Sequence, residues 1–192
     1  MIKLQEIVGI FKKADALLEG HFKLSSGLHS SQYLQCARVL EDPRIAERVC
    51  GALAGMFRQD KPSVVVAPAL GGIIVSYEVA RSLGVRGVFS ERVDGKMCLR
   101  RGFALSKKDR ALIVEDVITT GKSTKEVIEV VKETGAEIIG VGSIADRSEQ
   151  TIKFGAPFKS LVKIDIITYK PEDCPMCKKK IPLVKPGSRT TK

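Results

Sequence analysis

The sequence offers few of the usual footholds for chemistry. It has two histidines, His21 and His29, and no recognisable nucleophile–histidine–acid triad, so covalent hydrolase chemistry has no obvious carrier. The default reading for both histidines is a hydrogen-bonded structural role, with substrate contact as the alternative. There is no G-x-x-x-x-G-K-[ST] loop, which excludes a P-loop nucleotide site. No apolar run reaches 18 residues, which excludes a helical membrane span. The N-terminal stretch carries acids and helical spacing at Leu4, Ile7, Val8, Phe11 and Leu18, unlike a signal peptide. A soluble cytoplasmic protein is the expectation. Five cysteines are an odd number, and Cys36, Cys50 and Cys98 are scattered, so a disulfide framework is not expected. Cys174-x-x-Cys177 could be half of a zinc site completed by a second subunit. With no third or fourth ligand evident, a turn with two free thiols is the default. Internal repeats are absent.

What is present fills one domain, residues 1–192. The chain is 44% hydrophobic, enough for a full core. The net charge is +10, but residues 178–192 hold six basic residues and no acid, leaving 26 basic against 22 acidic elsewhere. The excess is mostly a tail, whose Pro, Gly and Lys content suits a loosely ordered segment. No nucleic-acid motif accompanies it, and neither nucleic acid nor membrane is an expected partner.

Strands and helices alternate along the chain. Asp42-Pro43 opens a helix with an apolar stripe at Ile45, Val49, Leu53 and Met56 or Phe57. "SVVVAPALGGIIVSYEVARSLG" reads strand, glycine turn, helix, with Ile73, Tyr77 and Ala80 inward. Further strands are expected at 85–89, 110–114, about 137–144, and 163–168. This pattern predicts βαβ units and a mainly parallel sheet.

"ALIVEDVITTGKST" (111–124) is the most informative stretch. The run Ala111–Val114 suits a strand buried on both faces. Thr124, Val127, Ile128 and Val131 recur at helical spacing, and Gly135 sits where that helix should end. A strand–turn–helix unit puts its turn at the carboxyl end of the sheet, where backbone N–H groups and the helix N-terminus suit a phosphate. Thr119, Thr120, Ser123 and Thr124 add hydroxyls. Glu115 and Asp116 would repel a phosphate beside them and fit as acceptors for sugar hydroxyls, or as ligands near a hard cation. Together they suggest a ribose 5-phosphate; a plain helix cap is the blander alternative.

"VEDVITTGKST" resembles the phosphoribosyl-pyrophosphate (PRPP) motif of type I phosphoribosyltransferases. "GHFKLSSGLHSSQYLQCARVL" (20–40) resembles the N-terminal hood of the orotate phosphoribosyltransferases, and "GSIADRSE" (142–149) their strand end with an arginine after an aspartate. The resemblance covers nearly the whole chain and is closest to a short, often thermophilic, branch. It implies a central, mainly parallel sheet flanked by helices, with a small hood (1–40) and a flexible β-hairpin flap (90–103). It implies transfer of a phosphoribosyl group from PRPP to orotate in pyrimidine synthesis. The alternatives are another base such as xanthine, or a PRPP-sensing regulator on the same fold.

Residue by residue, the resemblance implies that Glu115 and Asp116 hold the ribose while Val117, Ile118, Thr119, Thr120, Gly121, Lys122, Ser123 and Thr124 wrap the 5-phosphate. Arg147 would meet the orotate carboxylate, a planar anion suited to a guanidinium, with Thr119 and Ser26 nearby. "APALGG" (67–72) would help hold pyrophosphate. Mg²⁺ would be bound mainly through substrate, with no dedicated protein metal ligand.

"FSERVDGKMCLRRGF" (89–103) carries a two-residue hairpin signal at Asp94-Gly95. On its residues alone it is either an anion-binding hairpin or a charged edge hairpin. The resemblance makes it a flap in which Arg92, Lys96 and Arg100 close over pyrophosphate, Arg92 and Lys96 being catalytic together with Glu115 and Asp116. It also implies a homodimer whose flaps cover the neighbouring site. Well-studied members have a lysine in the turn that is "ALGG" here and another at Ser25. Their flap has an Arg-Lys pair, a further Lys and a His, where this chain has Glu91-Arg92, Lys96 and no histidine.

Overall fold

The structure, a computed structural model, describes residues 4–24 and 26–186. Ser25 and the last six residues of the basic tail lie outside the described residues. Six strands form the main sheet, in the order β5-β4-β3-β6-β7-β8. They are β3 (Val64–Pro68), β4 (Arg86–Val93), β5 (Lys96–Leu99), β6 (Arg110–Ile118), β7 (Glu137–Asp146) and β8 (Phe158–Lys163). All neighbours are parallel except β4 and β5, which form the expected hairpin. Asp94 (φ 50°) and Gly95 (φ 81°) supply its two left-handed turn positions.

Both faces of this sheet are covered, and successive side chains enter opposite cores as a two-residue period requires. Val65, Ala67, Leu112 and Val114 point into a core shared with α1 (Leu4–Lys13), α2 (Cys36–Leu40), α3 (Pro43–Gly55) and α4 (Gly72–Leu83). Val64, Val66, Ala111 and Ile113 point the other way, onto Val127, Ile128 and Val131 of α5 (Lys122–Glu133). The Asp42 cap is present: its carboxylate accepts from Arg44 N–H at 2.9 Å. α5 stops at Glu133, and Gly135 follows in the left-handed conformation.

A second sheet, β1-β2-β9, forms the hood from β1 (Leu17–Lys23), β2 (His29–Leu34) and β9 (Thr168–Tyr169). Leu18 therefore belongs to β1; α1 ends at Lys13 and Asp15 turns the chain at φ 48°.

Several boundaries differ from the sequence expectation. β6 runs on to Ile118, because its ladder with β7 continues through Ile118↔Asp146 after its ladder with β3 ends at Val66↔Ile113. The last sheet strand is Phe158–Lys163, not 163–168. β7 ends at Asp146, which pairs with Lys163, so Ile166 and Ile167 have no ladder to join. On α4 the buried stripe is Gly72, Val75, Ser76, Val79 and Ala80; Tyr77 lies on the outer face, 66% exposed. The tail is not loose throughout: Val184 exchanges backbone hydrogen bonds with His21 and Lys23 of β1, both at 2.8 Å.

Candidate active site

The strand order places the site. β4 follows β3 on one side of the sheet, and β6 lies on β3's other side, so the order reverses between β3 and β6. Open α/β sheets bind ligands in the crevice beyond the carboxyl ends of such a pair. Here the crevice is formed by the loop 69–71 after β3, the end of β6 and the loop 119–121. Two cavities meet there, of about 1300 and 510 Å³, and both are bordered by Val117, Thr119, Thr120 and Lys122.

Glu115 and Asp116 are adjacent near the end of β6, and their carboxyl groups stand close enough to hydrogen-bond each other. Asp116 lines the larger cavity and Glu115 the smaller. The Asp116 carboxyl fits against the facing turn only because residue 71 is glycine. A Cβ on Gly71 would sit 2.7 Å from Asp116 Oδ2, and one on Gly72 would sit 3.4 Å from Glu115 Oε1. Asp116 accepts from Val117 N–H at 2.8 Å. No ion pair reaches either acid among the described residues. Burial, reinforced by the Asp116 charge, pushes the Glu115 carboxyl well above the ordinary carboxylate range. Burial also pushes Asp116 up, against hydrogen bonds from Glu115 and Val117 N–H that favour its charged form.

A carboxyl raised on folding is best tolerated when protonated, so its stability contribution is full at low pH and is lost as pH rises through the raised value. Glu115→Gln removes that titration. It is expected to raise the melting temperature of the ligand-free chain at pH 8 by about 2–4 °C, the shift given by 1 kcal/mol at this size. The gain should close as pH falls toward 5. Thermal unfolding at both pH values checks this, and an equal gain at both would rule out the titration.

The smaller cavity is built around the turn that leads into α5. Gly121 (φ 70°) begins α5, and a Cβ there would press to 3.0 Å of the Phe154 ring. The turn therefore presents backbone N–H groups and the α5 N-terminus beside Thr119, Thr120, Ser123 and Thr124. Arg92 borders the same cavity and pairs with Glu126 of α5. Lys96 and Arg100 border neither cavity: Lys96 is exposed at the hairpin and Arg100 pairs with Glu91 at 3.7 Å. The hairpin also has its own core to lie on, because Met97 and Leu99 pack against the α5 side of the sheet. A single chain thus brings Arg92 and Glu115 together without a partner.

The larger cavity collects residues from distant segments. Ser26 and Tyr33 come from the hood, Thr119 from the loop, and Arg147 from the end of β7. Arg147 is in no ion pair among the described residues, and its Nε is buried without a hydrogen-bond partner. Its backbone N–H donates to Ile118 C=O at 2.8 Å, which anchors the residue while leaving the guanidinium uncommitted. Burial lowers its pKa, the reverse of what a salt-bridged surface arginine would show.

Sequence reasoning gave Tyr33 no role as a lining residue; its place within the hood motif was the available signal. Lys185 of the tail also lines this cavity, a position with no local signal. The sequence likewise left Cys174 and Cys177 as free thiols, whereas His21 and His29 of the same chain stand against them.

Comparisons with known proteins agree with this geometry. The phosphoribosyl transferase domain family matches residues 36–177. The orotate phosphoribosyltransferase of Caldanaerobacter subterraneus subsp. tengcongensis is 55% identical over 96% of this chain and 97% of its own length. That of Pelotomaculum thermopropionicum is 54% identical over 96% and 97%. Among solved structures, orotate phosphoribosyltransferase from Aeropyrum pernix superposes with a TM-score of 0.66 at 24% identity, covering 82% of this chain and 93% of that one; it speaks to fold alone. The paired cavities at the β3/β6 crevice and a match along nearly the full length lead to one assignment: the chain belongs to the phosphoribosyltransferase family, within its orotate phosphoribosyltransferases.

Proposed function

We propose that the chain transfers the phosphoribosyl group of PRPP to orotate, giving orotidine 5′-monophosphate and pyrophosphate in pyrimidine synthesis. The observation that carries this reading is the Arg147 guanidinium, buried at Nε, without an ion-pair partner among the described residues and bordering the larger cavity. A desolvated, uncommitted guanidinium is costly unless a ligand anion completes it, and orotate brings a planar carboxylate.

The remaining roles follow from the two cavities. The loop Val117–Thr124 and the α5 N-terminus hold the 5-phosphate and supply binding energy remote from the reacting carbon. Glu115 and Asp116 accept from the ribose hydroxyls and favour positive charge developing on the ring as the C1–pyrophosphate bond breaks. Arg92 meets the departing pyrophosphate from the flap side; Lys96 and Arg100 join it by flap movement. Ser26 and Thr119 orient the base.

Mg²⁺ fits this donor set. The two carboxylates have no third acidic, histidine or cysteine ligand beside them among the described residues. That suits a cation held by one or two carboxylates and otherwise by substrate phosphates. When bound, it supplies charge neutralisation of the pyrophosphate.

The working unit is one domain and a homodimer. Leu70 (76% exposed), Ile74 (45%) and Tyr77 form an apolar strip on α4 and its preceding loop, beside the larger cavity. Such a strip suits burial against a second copy. The cytoplasm is the expected compartment, and no described helix is long and apolar enough to cross a membrane.

The test is pyrophosphate release from PRPP and Mg²⁺ with orotate, xanthine or adenine as acceptor. Turnover is expected with orotate alone. Turnover of xanthine with none of orotate would overturn the reading.

A further inference from the structure

A second cluster of reactive side chains lies away from the two cavities. His21 (β1), His29 (β2), Cys174 and Cys177 (on either side of the start of α6, Pro175–Lys178) each aim one donor atom at a common point. His21 Nε2 lies 3.0 Å from His29 Nδ1, 3.5 Å from Cys174 Sγ and 3.7 Å from Cys177 Sγ. Cys177 Sγ lies 3.3 Å from His29 Nδ1. All four donor atoms fall within 4.8 Å of one another. A tetrahedral zinc ion with Zn–N of about 2.0–2.1 Å and Zn–S of about 2.3 Å sets ligand-to-ligand edges of about 3.3–3.8 Å. Four of the six pairs, at 3.0, 3.5, 3.7 and 3.3 Å, lie in or close to that range, and no pair is wider than 4.8 Å, so small side-chain adjustments close the cluster around one ion.

Hydrogen bonding alone does not account for it. His21 Nδ1 stands 2.8 Å from the carbonyl of Ile181, which only accepts, so Nδ1 carries the proton and Nε2 presents its lone pair. Three donor atoms converge on that one lone pair, which can accept a single proton. A cation at the centre satisfies all four groups at once. The Ile181 carbonyl then acts as the outer partner that fixes the imidazole of a metal-bound histidine. His21, His29 and Cys174 are buried. Four protein donors leave no open coordination position, which is the pattern of a structural rather than a catalytic zinc.

We propose that His21, His29, Cys174 and Cys177 bind one zinc ion per chain, and that this ion clasps the C-terminal segment to the hood. The spacing explains the arrangement. The two histidines are eight residues apart on paired strands, while the two cysteines arrive much later in the chain, Cys174 just before α6 and Cys177 on it. Beyond them, the Ile181 carbonyl accepts from the His21 ring and Val184 exchanges backbone hydrogen bonds with β1. The metal fastens the chain just before that contact, so Lys185 and the hood residue Tyr33 are held over one cavity. Binding would release the two thiol protons, giving a neutral Cys₂His₂ centre.

The test begins with elemental analysis of the full chain, expressed with zinc and purified in reductant without chelator. About one zinc per chain is expected, falling below about a tenth in Cys174→Ser/Cys177→Ser. Because that variant could lose its fold, the wild-type chain is also stripped and titrated with Co²⁺. An intense visible spectrum of tetrahedral cobalt with a thiolate-to-metal band in the near ultraviolet is expected at about one equivalent. Stripping should also lower the melting temperature, and zinc should restore it. The proposal is overturned if the purified and zinc-reconstituted wild type holds no metal above background. It is equally overturned if the cobalt spectrum is weak and octahedral, or if a folded Cys177→Ser/His29→Ala variant keeps its full zinc.

Discussion

Glu115→Gln combined with Asp116→Asn is expected to lower kcat by about 10²–10³-fold, the loss typical when a preorganised group facing transition-state charge is removed. Each substitution keeps the shape of the side chain and removes its charge. The fold should survive, since neither acid holds an ion pair among the described residues and burial already disfavours their charged forms. The positive charge on the ribose is largest when the bond to pyrophosphate has broken and the new bond has not formed. The effect should therefore appear in kcat more than in the KM for PRPP. Initial rates of orotidine 5′-monophosphate formation measure it. Near-normal turnover in the double variant would reduce the two acids to caps of the loop.

Arg147→Ala is expected to raise the KM for orotate at least tenfold and to change that for PRPP by less than about threefold. A charge-assisted pair contributes roughly 1.5–3 kcal/mol, and each 1.4 kcal/mol is a factor of ten. The selectivity arises because Arg147 borders only the larger cavity, whereas the loop that would hold the phosphate borders both. Arg147→Lys should recover only part of the loss, since an ammonium cannot match a carboxylate at two points. A parallel rise in both constants would instead mean that the end of β7 had been disturbed, through its Ile118 hydrogen bond.

The two predictions differ in how far the sequence alone supports them. The acids, their loop and α5 are contiguous, so strand period, turn residues and helical spacing announced them together. The Asp42 cap and the Asp94-Gly95 hairpin were readable for the same reason: each is set by dihedral preferences and bonds within a few residues. The length of β6 was not readable, because a strand ends where its neighbours stop pairing, and β7 lies twenty-odd residues further on. Tyr77 was misplaced because the wide apolar face of α4 does not say which part meets the sheet.

What the sequence determined by itself is therefore the local chemistry: an αβ alternation, a phosphate-binding turn with two acids, a basic hairpin and an arginine after a strand. Only the tertiary structure decided how these meet. The reversal of strand order between β3 and β6 opens the crevice and sets Gly71 against Asp116. Chain folding also brings His21 to Cys174, Val184 to β1, and the hood to Arg147. Contacts between residues more than a hundred positions apart leave no mark in local periodicity. Their geometry comes from packing layers on both faces of a sheet, which is a property of the whole chain.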